Sequence, residues 1–532
     1  MKRVGNLAAC LLLSAAILLF TLVIAAPSFT AYGDGGAIDA KLVPIERIVS
    51  QGRVNRTPYF AYIGVKSGDV ADIWVPAELL SDMKCPVKLS PDKSYFTGRI
   101  ENPSEKLGLP VLQTLLPNKA PTIDIDFRAV SDDGKFYFNI SGMEPVTGIT
   151  GTLTDSRRVI VPPKSGDILV VGTPEQMPEK ARIRVADFTP PALASPFSLI
   201  WEQVADLNPD ISTEDALPTV KIVSPTWFAL TDADGTVSNK ADWTYTIGAH
   251  AKGYGVWALV SNGFNRDRTK AFLSKESLQN QFIARMLVYS KLYGFDGINI
   301  DFENVGNDDA DELTAFVRKL AAAARENGLA VTIDLPVPTT WNKAYDRRAL
   351  SEAVDYVIVM AYDEHWGSSP RAGSTASLPW TQQGVKRTLN DVPAEKLLMG
   401  APFYTREWAE TNTGKGKVSV RARTMAMVSV DARLAETGAA LQWQGDKGQN
   451  YFQYVSDDKT YKIWVEDERS IALRMSVLNE FRLAGAAFWR KGFEKPEIWP
   501  VIERALAGGD ELFVHSRMRA RQTWKAMREC AC

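Results

Sequence analysis

From residue 196 onward the chain repeats one alternation, a short apolar run followed by a stretch of helical spacing. The runs are "FSLIW" (197–201), "VKIVSPTWFAL" (220–230), "YGVWALVS" (254–261), "DGINIDFE" (296–303), "LAVTIDLP" (329–336), "VDYVIVMAYD" (354–363), "KLLMGAPFY" (396–404) and "AGAAFW" (484–489). Between them lie amphipathic stretches such as 310–327, where Leu313, Phe316, Val317, Leu320 and Ala324 fall at helical spacing. Asp308, Asp309, Asp311 and Glu312 open that stretch, where the positive end of a helix favours acidic side chains. Eight such units over 196–506 predict an α/β fold, a (β/α)8 TIM barrel. The stretch 405–467 is too long for a simple helical connection. Its "LQWQ", "NYFQYV" and "TYKIWV" runs predict a small α+β insertion between strands seven and eight.

Ahead of the barrel the texture is different. Residues 56–185 carry short alternating runs, "TIDIDF", "KFYFNIS", "RVIVPP" and "DILVVG", broken by Pro and Gly, with one helix expected near "PAELLSDM". They predict a small β-rich domain whose composition indicates no function. Residues 27–55 read as a linker and 507–532 as a polar tail.

Residues 7–26, "LAACLLLSAAILLFTLVIAA", form an unbroken apolar run behind Lys2 and Arg3. The run is long enough to span a bilayer and longer than the core of most signal peptides. An N-terminal membrane anchor and a signal cleaved near Ala25, Ala26 and Pro27 both fit, and either one exports the rest of the chain to the cell envelope or beyond. "LAAC" is no lipoprotein box, because Cys10 precedes the apolar core. With 61 basic against 63 acidic residues and no basic stripe, nucleic acid is excluded as a partner. The four cysteines and three histidines show no zinc, redox or HExxH spacing, so neither a metal nor a cofactor is expected.

The chemistry is concentrated in "DGINIDFENV" (296–305). Asn299, Asp301 and Glu303 share one face of the fourth strand and run toward its C-terminal end, where barrels of this kind build their sites. Glu303, the outermost, has a carboxylate two residues behind it, which raises its pKa and suits a general acid. Alone, a D-x-E pair is more often a structural core acid than a catalytic one. The other strand ends change the balance: Tyr362 and Asp363 close strand six, Tyr404 closes strand seven and Trp489 closes strand eight. Aromatics around a carboxylate make a floor on which a sugar ring stacks. A near copy, "PTIDIDFRAV" (121–130), sets Asp124 and Asp126 in the same alternation but has Arg128 in the third place, and reads as a plain strand.

These residues carry a resemblance. Asp296, Gly297, Asn299, Asp301 and Glu303 resemble the DG-x-D-x-D-x-E signature of glycoside hydrolase family 18, and "MAYDEHW" (360–366) resembles its Met-Tyr-Asp segment. Trp489 falls where the family keeps a tryptophan on strand eight. "SPTWF", "NIDFENV", "MAYDEHW" and "IWVEDERSI" are most similar to the bacterial branch of spore-germination and cortex-lytic N-acetylglucosaminidases. The resemblance implies hydrolysis of β-1,4-linked N-acetylglucosamine-containing glycans, peptidoglycan ahead of chitin, by substrate-assisted retention. It assigns catalysis to Glu303, Asp301 and Tyr362, and substrate binding to Asn299, Asp363, Tyr404 and Trp489. A non-catalytic, lectin-like envelope protein on the same barrel is the alternative. One departure stands out. Many members have Asp at the place of Asn299, where it can share a proton with Asp301. Asn cannot titrate and is expected to donate a hydrogen bond to the Asp301 carboxylate.

Overall fold

The computed structural model describes residues 40–171 and 192–508, with short breaks inside each range. The chain divides into two compact units, Met1–Phe96 with Ala129–Arg184 and Thr97–Arg128 with Val185–Cys532. The apolar run 7–26 and the tail from 509 lie outside the described residues. Among the described residues no helix is long and apolar enough to cross a membrane.

In the second unit, eight parallel strands close into a barrel: β1 (Phe197–Glu202), β2 (Val220–Pro225), β3 (Gly255–Ser261), β4 (Gly297–Asp301), β5 (Ala330–Pro336), β6 (Tyr356–Met360), β7 (Leu397–Pro402) and β8 (Gly485–Trp489). Each pairs with its neighbours in sequence, and β8 returns to β1 to complete the ring. All eight runs singled out in the sequence therefore hold a barrel strand. Seven strands are shorter than the apolar runs that hold them, and β1 extends one residue past its run, to Glu202. The run 220–230 splits into β2 and a separate short strand, Phe228–Leu230.

The barrel interior is layered. Phe197, Trp257 and Tyr356 pack together low in the barrel, with ring centroids 5.1–6.1 Å apart. Gly297 permits this, because a Cβ there would lie 2.4 Å from Trp257 and 2.9 Å from the Ala330 carbonyl. Outside, the helix Ala310–Glu326 buries Leu313, Phe316, Val317, Leu320 and Ala324, the residues its spacing picks out.

Between β7 and β8 the chain forms a five-stranded antiparallel sheet with the helix Met427–Thr437, as the length of 405–467 predicts. Met425, Val430, Phe452, Ile463 and Val465 form its own small core. Buried Glu466 joins it to the barrel helix Glu468–Phe481 through Arg474, at 2.5 and 2.8 Å.

The first unit contains an eight-stranded antiparallel sheet with the helix Ala77–Asp82 beside it. Two boundaries differ from those expected. Residues 40–49, read as part of a linker, are a strand paired with Arg53–Lys66. The mixture of Lys41, Glu46 and Arg47 with apolar residues hides a strand whose definition comes from its partner. Residues 97–128, read as part of the β-rich domain, are grouped with the barrel. There the Asp126 backbone bonds Tyr289 and Asn239 of the barrel unit.

Candidate active site

Pairing of β4 ends at Asp301, and the next two residues part company. Phe302 turns outward and stacks on Phe316 of the helical layer, with centroids 5.7 Å apart. Glu303 faces the barrel mouth. Two contacts hold this turn in place. The buried side chain of Asn262, just past β3, accepts from the Glu303 N–H at 3.0 Å and donates to its carbonyl at 2.6 Å. The Tyr345 hydroxyl donates to the Phe302 carbonyl at 2.9 Å. The backbone of the expected acid is thus clamped from both sides.

Asp301, Glu303, Tyr362, Asp363, Tyr404 and Trp489 all line one cavity of about 530 Å³ at the C-terminal end of the strands. Asp363 has a left-handed backbone (φ 52°). Its Oδ1 accepts from the Tyr404 hydroxyl and from Arg406 Nη2, each at 2.7 Å. Tyr404 and Arg406 open the inserted sheet, so the insertion fixes the Tyr362–Asp363 turn. The Tyr362 and Tyr404 rings meet edge to face at 6.2 Å. On the other side Trp489 leans on Trp201, with centroids 5.8 Å apart.

Asn299 is the exception among the expected residues. It is fully buried and does not border the cavity. Its Oδ1 accepts from Trp201 Nε1 at 2.9 Å and Ser224 Oγ at 3.0 Å. Its Nδ2 donates to Thr332 Oγ1 at 3.0 Å and Asp334 Oδ1 at 2.8 Å. An amide makes four hydrogen bonds at most. None is left for a sugar, and the carboxylate it serves is Asp334 and not Asp301. The expected substrate-binding role and the bond to Asp301 are both corrected by this geometry.

Sequence reasoning missed Asp334, Arg406, Asn262 and Trp201. Asp334 had a signal, because "TIDLP" sets Thr332 and Asp334 in the same alternation as Asn299 and Asp301. The clamp by Asn262 left none.

Burial dominates the electrostatics. It pushes the Glu303 carboxyl up to about 9, with the Asp301 and Asp363 charges adding to it. The same loss of water takes Asp301 up to about 7. Asp334 rises well above the carboxylate range, for burial first and Asp301 second, and the Asn299 bond opposes the shift. A carboxyl kept protonated at neutral pH is what a proton donor requires. Among the described residues no group of His, Cys, Asp or Glu is disposed to hold a metal ion.

A closed parallel barrel with buried carboxylates and an aromatic floor at its C-terminal rim is an arrangement suited to glycoside hydrolysis. The sequence pattern described as "Glycosyl hydrolases family 18" matches residues 228–493, half of the chain, and the chain belongs to that family. It is similar to the cortical fragment-lytic enzyme of Bacillus subtilis, 24% identical over 251 residues, 46% of this chain and 57% of that protein. The chain thus spans little more than half the length of that relative. It is also similar to di-N-acetylchitobiase of Homo sapiens, 25% identical over 240 residues, 39% of this chain and 60% of the relative. Among solved structures, a chitinase from Chromobacterium violaceum aligns with a TM-score of 0.52 and 25% identity, over 58% of this chain and 99% of that one. The Bacillus cereus spore cortex-lytic enzyme SleL shares the fold with a TM-score of 0.53 and 21% identity, over 58% and 74% of the two chains.

Proposed function

We propose that this chain is exported and hydrolyses β-1,4-linked glycans containing N-acetylglucosamine, peptidoglycan in preference to chitin, by a retaining mechanism assisted by the substrate. The observation that carries the reading is the meeting of Asp301, Glu303 and Tyr362 in one cavity beside Trp489. Glu303, protonated at neutral pH, gives its proton to the leaving glycosidic oxygen as the anomeric C–O bond breaks. The oxygen of the sugar's own 2-acetamido group bonds to the anomeric carbon and forms an oxazolinium ion. Ionised Asp301 accepts the acetamido N–H and offsets the positive charge. The Tyr362 hydroxyl donates to the acetamido oxygen, and Trp489 stacks on the sugar. Glu303, now a carboxylate, takes a proton from the attacking water, which opens the ring. Two inversions at one carbon retain its configuration.

Asp363 orients the rim and the substrate, held by Tyr404 and Arg406. Likeness to a cortical fragment-lytic enzyme supports peptidoglycan as the first substrate, and likeness to a chitinase keeps chitin second. Export rests on residues 7–26, with either an anchor or a cleaved signal. The test is incubation of the protein with peptidoglycan and with soluble chitin oligomers, followed by mass analysis of the released sugars. Faster release from peptidoglycan supports the proposal, and faster release from chitin oligomers reverses the substrate order. Binding without release supports the lectin-like alternative.

A further inference from the structure

β5 carries an acid that the mechanism above does not use. Asp334 is 1% exposed, yet it borders the same cavity as Asp301 and Glu303. The register that pairs Asn299 with Thr332 and Ile300 with Ile333 carries Asp301 alongside Asp334. Adjacent strands lie about 4.8 Å apart. Both side chains share the parity of Asn299 and Thr332, which are bonded to each other inside the barrel at 3.0 Å. One oxygen of Asp334 is occupied by Asn299 Nδ2. On Asp301, Oδ1 is buried and meets no donor.

Two carboxylates placed like this do not both ionise. The groups that act most strongly on Asp334 are Asp301, Glu303 and Asn299 from β4 and the turn after it and Trp201 from β1, and Tyr362 beyond β6 also couples to it. None of them is a cation. Of the cations lining the cavity, Arg406 is engaged by Asp363 at 2.7 Å and Lys240 donates to the Val204 carbonyl at 2.9 Å.

We infer that Asp334 is the proton-sharing partner of Asp301, a positioning residue that keeps the Asp301 carboxylate available to the substrate. The inference rests on the glycosidase reading of the site. With one proton between them, Asp334 accepts from Asn299 at Oδ1 and presents its O–H to Asp301, supplying the donor that Asp301 Oδ1 lacks. When the acetamido N–H reaches Asp301, the proton stays on Asp334 and Asp301 faces the oxazolinium ion ionised. No proton enters or leaves the pair, and Glu303 keeps its own for the leaving oxygen. Asn299 then has a defined role, occupying one oxygen of Asp334 and leaving the other to hold the proton.

The test is kcat/KM against pH on a soluble N-acetylglucosamine oligomer for wild type, Asp334→Ala and Asp334→Asn. Without a donor beside it, buried Asp301 is harder to ionise, so Asp334→Ala moves the acidic limb upward by about one pH unit or more. Asp334→Asn, whose amide donates where the acid did, leaves the limb nearer to wild type. An unmoved limb in Asp334→Ala overturns the inference. Infrared difference spectra of Glu303→Gln against Glu303→Gln/Asp334→Asn at pH 8 decide it independently of turnover and of the folding of the alanine variant. A protonated-carboxyl band present only in the first supports the shared proton, and its absence overturns it. If wild type hydrolyses neither that oligomer nor peptidoglycan at any pH, the glycosidase reading fails, and the infrared result still decides the state of Asp334.

Discussion

Two strands of the barrel unit, Thr122–Arg128 and Gly297–Asp301, have nearly the same sequence of alternating isoleucines and acids, and the structure gives them opposite surroundings. In the first, Ile123, Ile125 and Phe127 are buried while Asp124 stands half-exposed, paired with Arg99 at 2.6 Å. Asp126 is drawn upward by burial, against the pull of Arg285. In the second, a strand lies on each side and the acids face a mouth already holding Asp334, so losing water shifts several carboxyls at once. Alternating acids do not define a site. A shared, poorly hydrated space with more than one carboxyl in it does.

The sharpest way to break this contrast is Glu303→Gln. The shape is kept and the proton donor is lost, so kcat/KM falls by about a thousandfold or more, with glycan binding preserved. Wild-type turnover by that variant removes Glu303 from the role. Next in size is Asn299→Leu. It strands Trp201, Ser224, Thr332 and Asp334, and each unsatisfied buried polar group costs about 1–3 kcal/mol. A lowered melting temperature and loss of most turnover are expected together. An unchanged melting temperature makes Asn299 a mere filler of the barrel.

Asn262→Ala releases both bonds to the Glu303 backbone, and misplacing the acid costs up to about a hundredfold in kcat with KM nearly unchanged. An effect on KM alone contradicts the clamp. The pH dependence comes next. Asp301 must be ionised and Glu303 protonated, so activity rises through about 7, falls through about 9, and changes about tenfold per pH unit outside that window. For stability the sign is negative. Between the ordinary value of 4.5 and about 9, folded Glu303 holds a proton that the unfolded chain releases, so stability falls as pH rises. Glu303→Gln flattens that slope. The smallest effect belongs to the near copy: Asp124→Asn should leave turnover and its pH profile unchanged.

Much of this was legible in the sequence because it is local. All eight runs hold a barrel strand, since a strand covered on both faces is apolar over most of its length. Tyr362, Asp363, Tyr404 and Trp489 stand at or just past strand ends, and a barrel brings such positions together whatever the loops do. What escaped depends on pairing between distant segments. Asp334 matters because of the register between β4 and β5, and Asn262 because the loop after β3 reaches the Glu303 backbone. The partner of Asn299 was misjudged for the same reason: the residue two along its own strand looked nearer than one on the strand beside it. The strand at 40–49 and the place of 97–128 with the barrel are likewise set by their partners.

The most direct test of the account follows the anomeric protons of the first product by NMR, as wild type and Glu303→Gln act on one soluble N-acetylglucosamine oligomer. Substrate-assisted catalysis at the Asp301–Glu303 site predicts that the β anomer appears first with wild type, equilibrating slowly to α, and that Glu303→Gln releases none while still binding the oligomer. First release of the α anomer, or β anomer from Glu303→Gln at the wild-type rate, would contradict it.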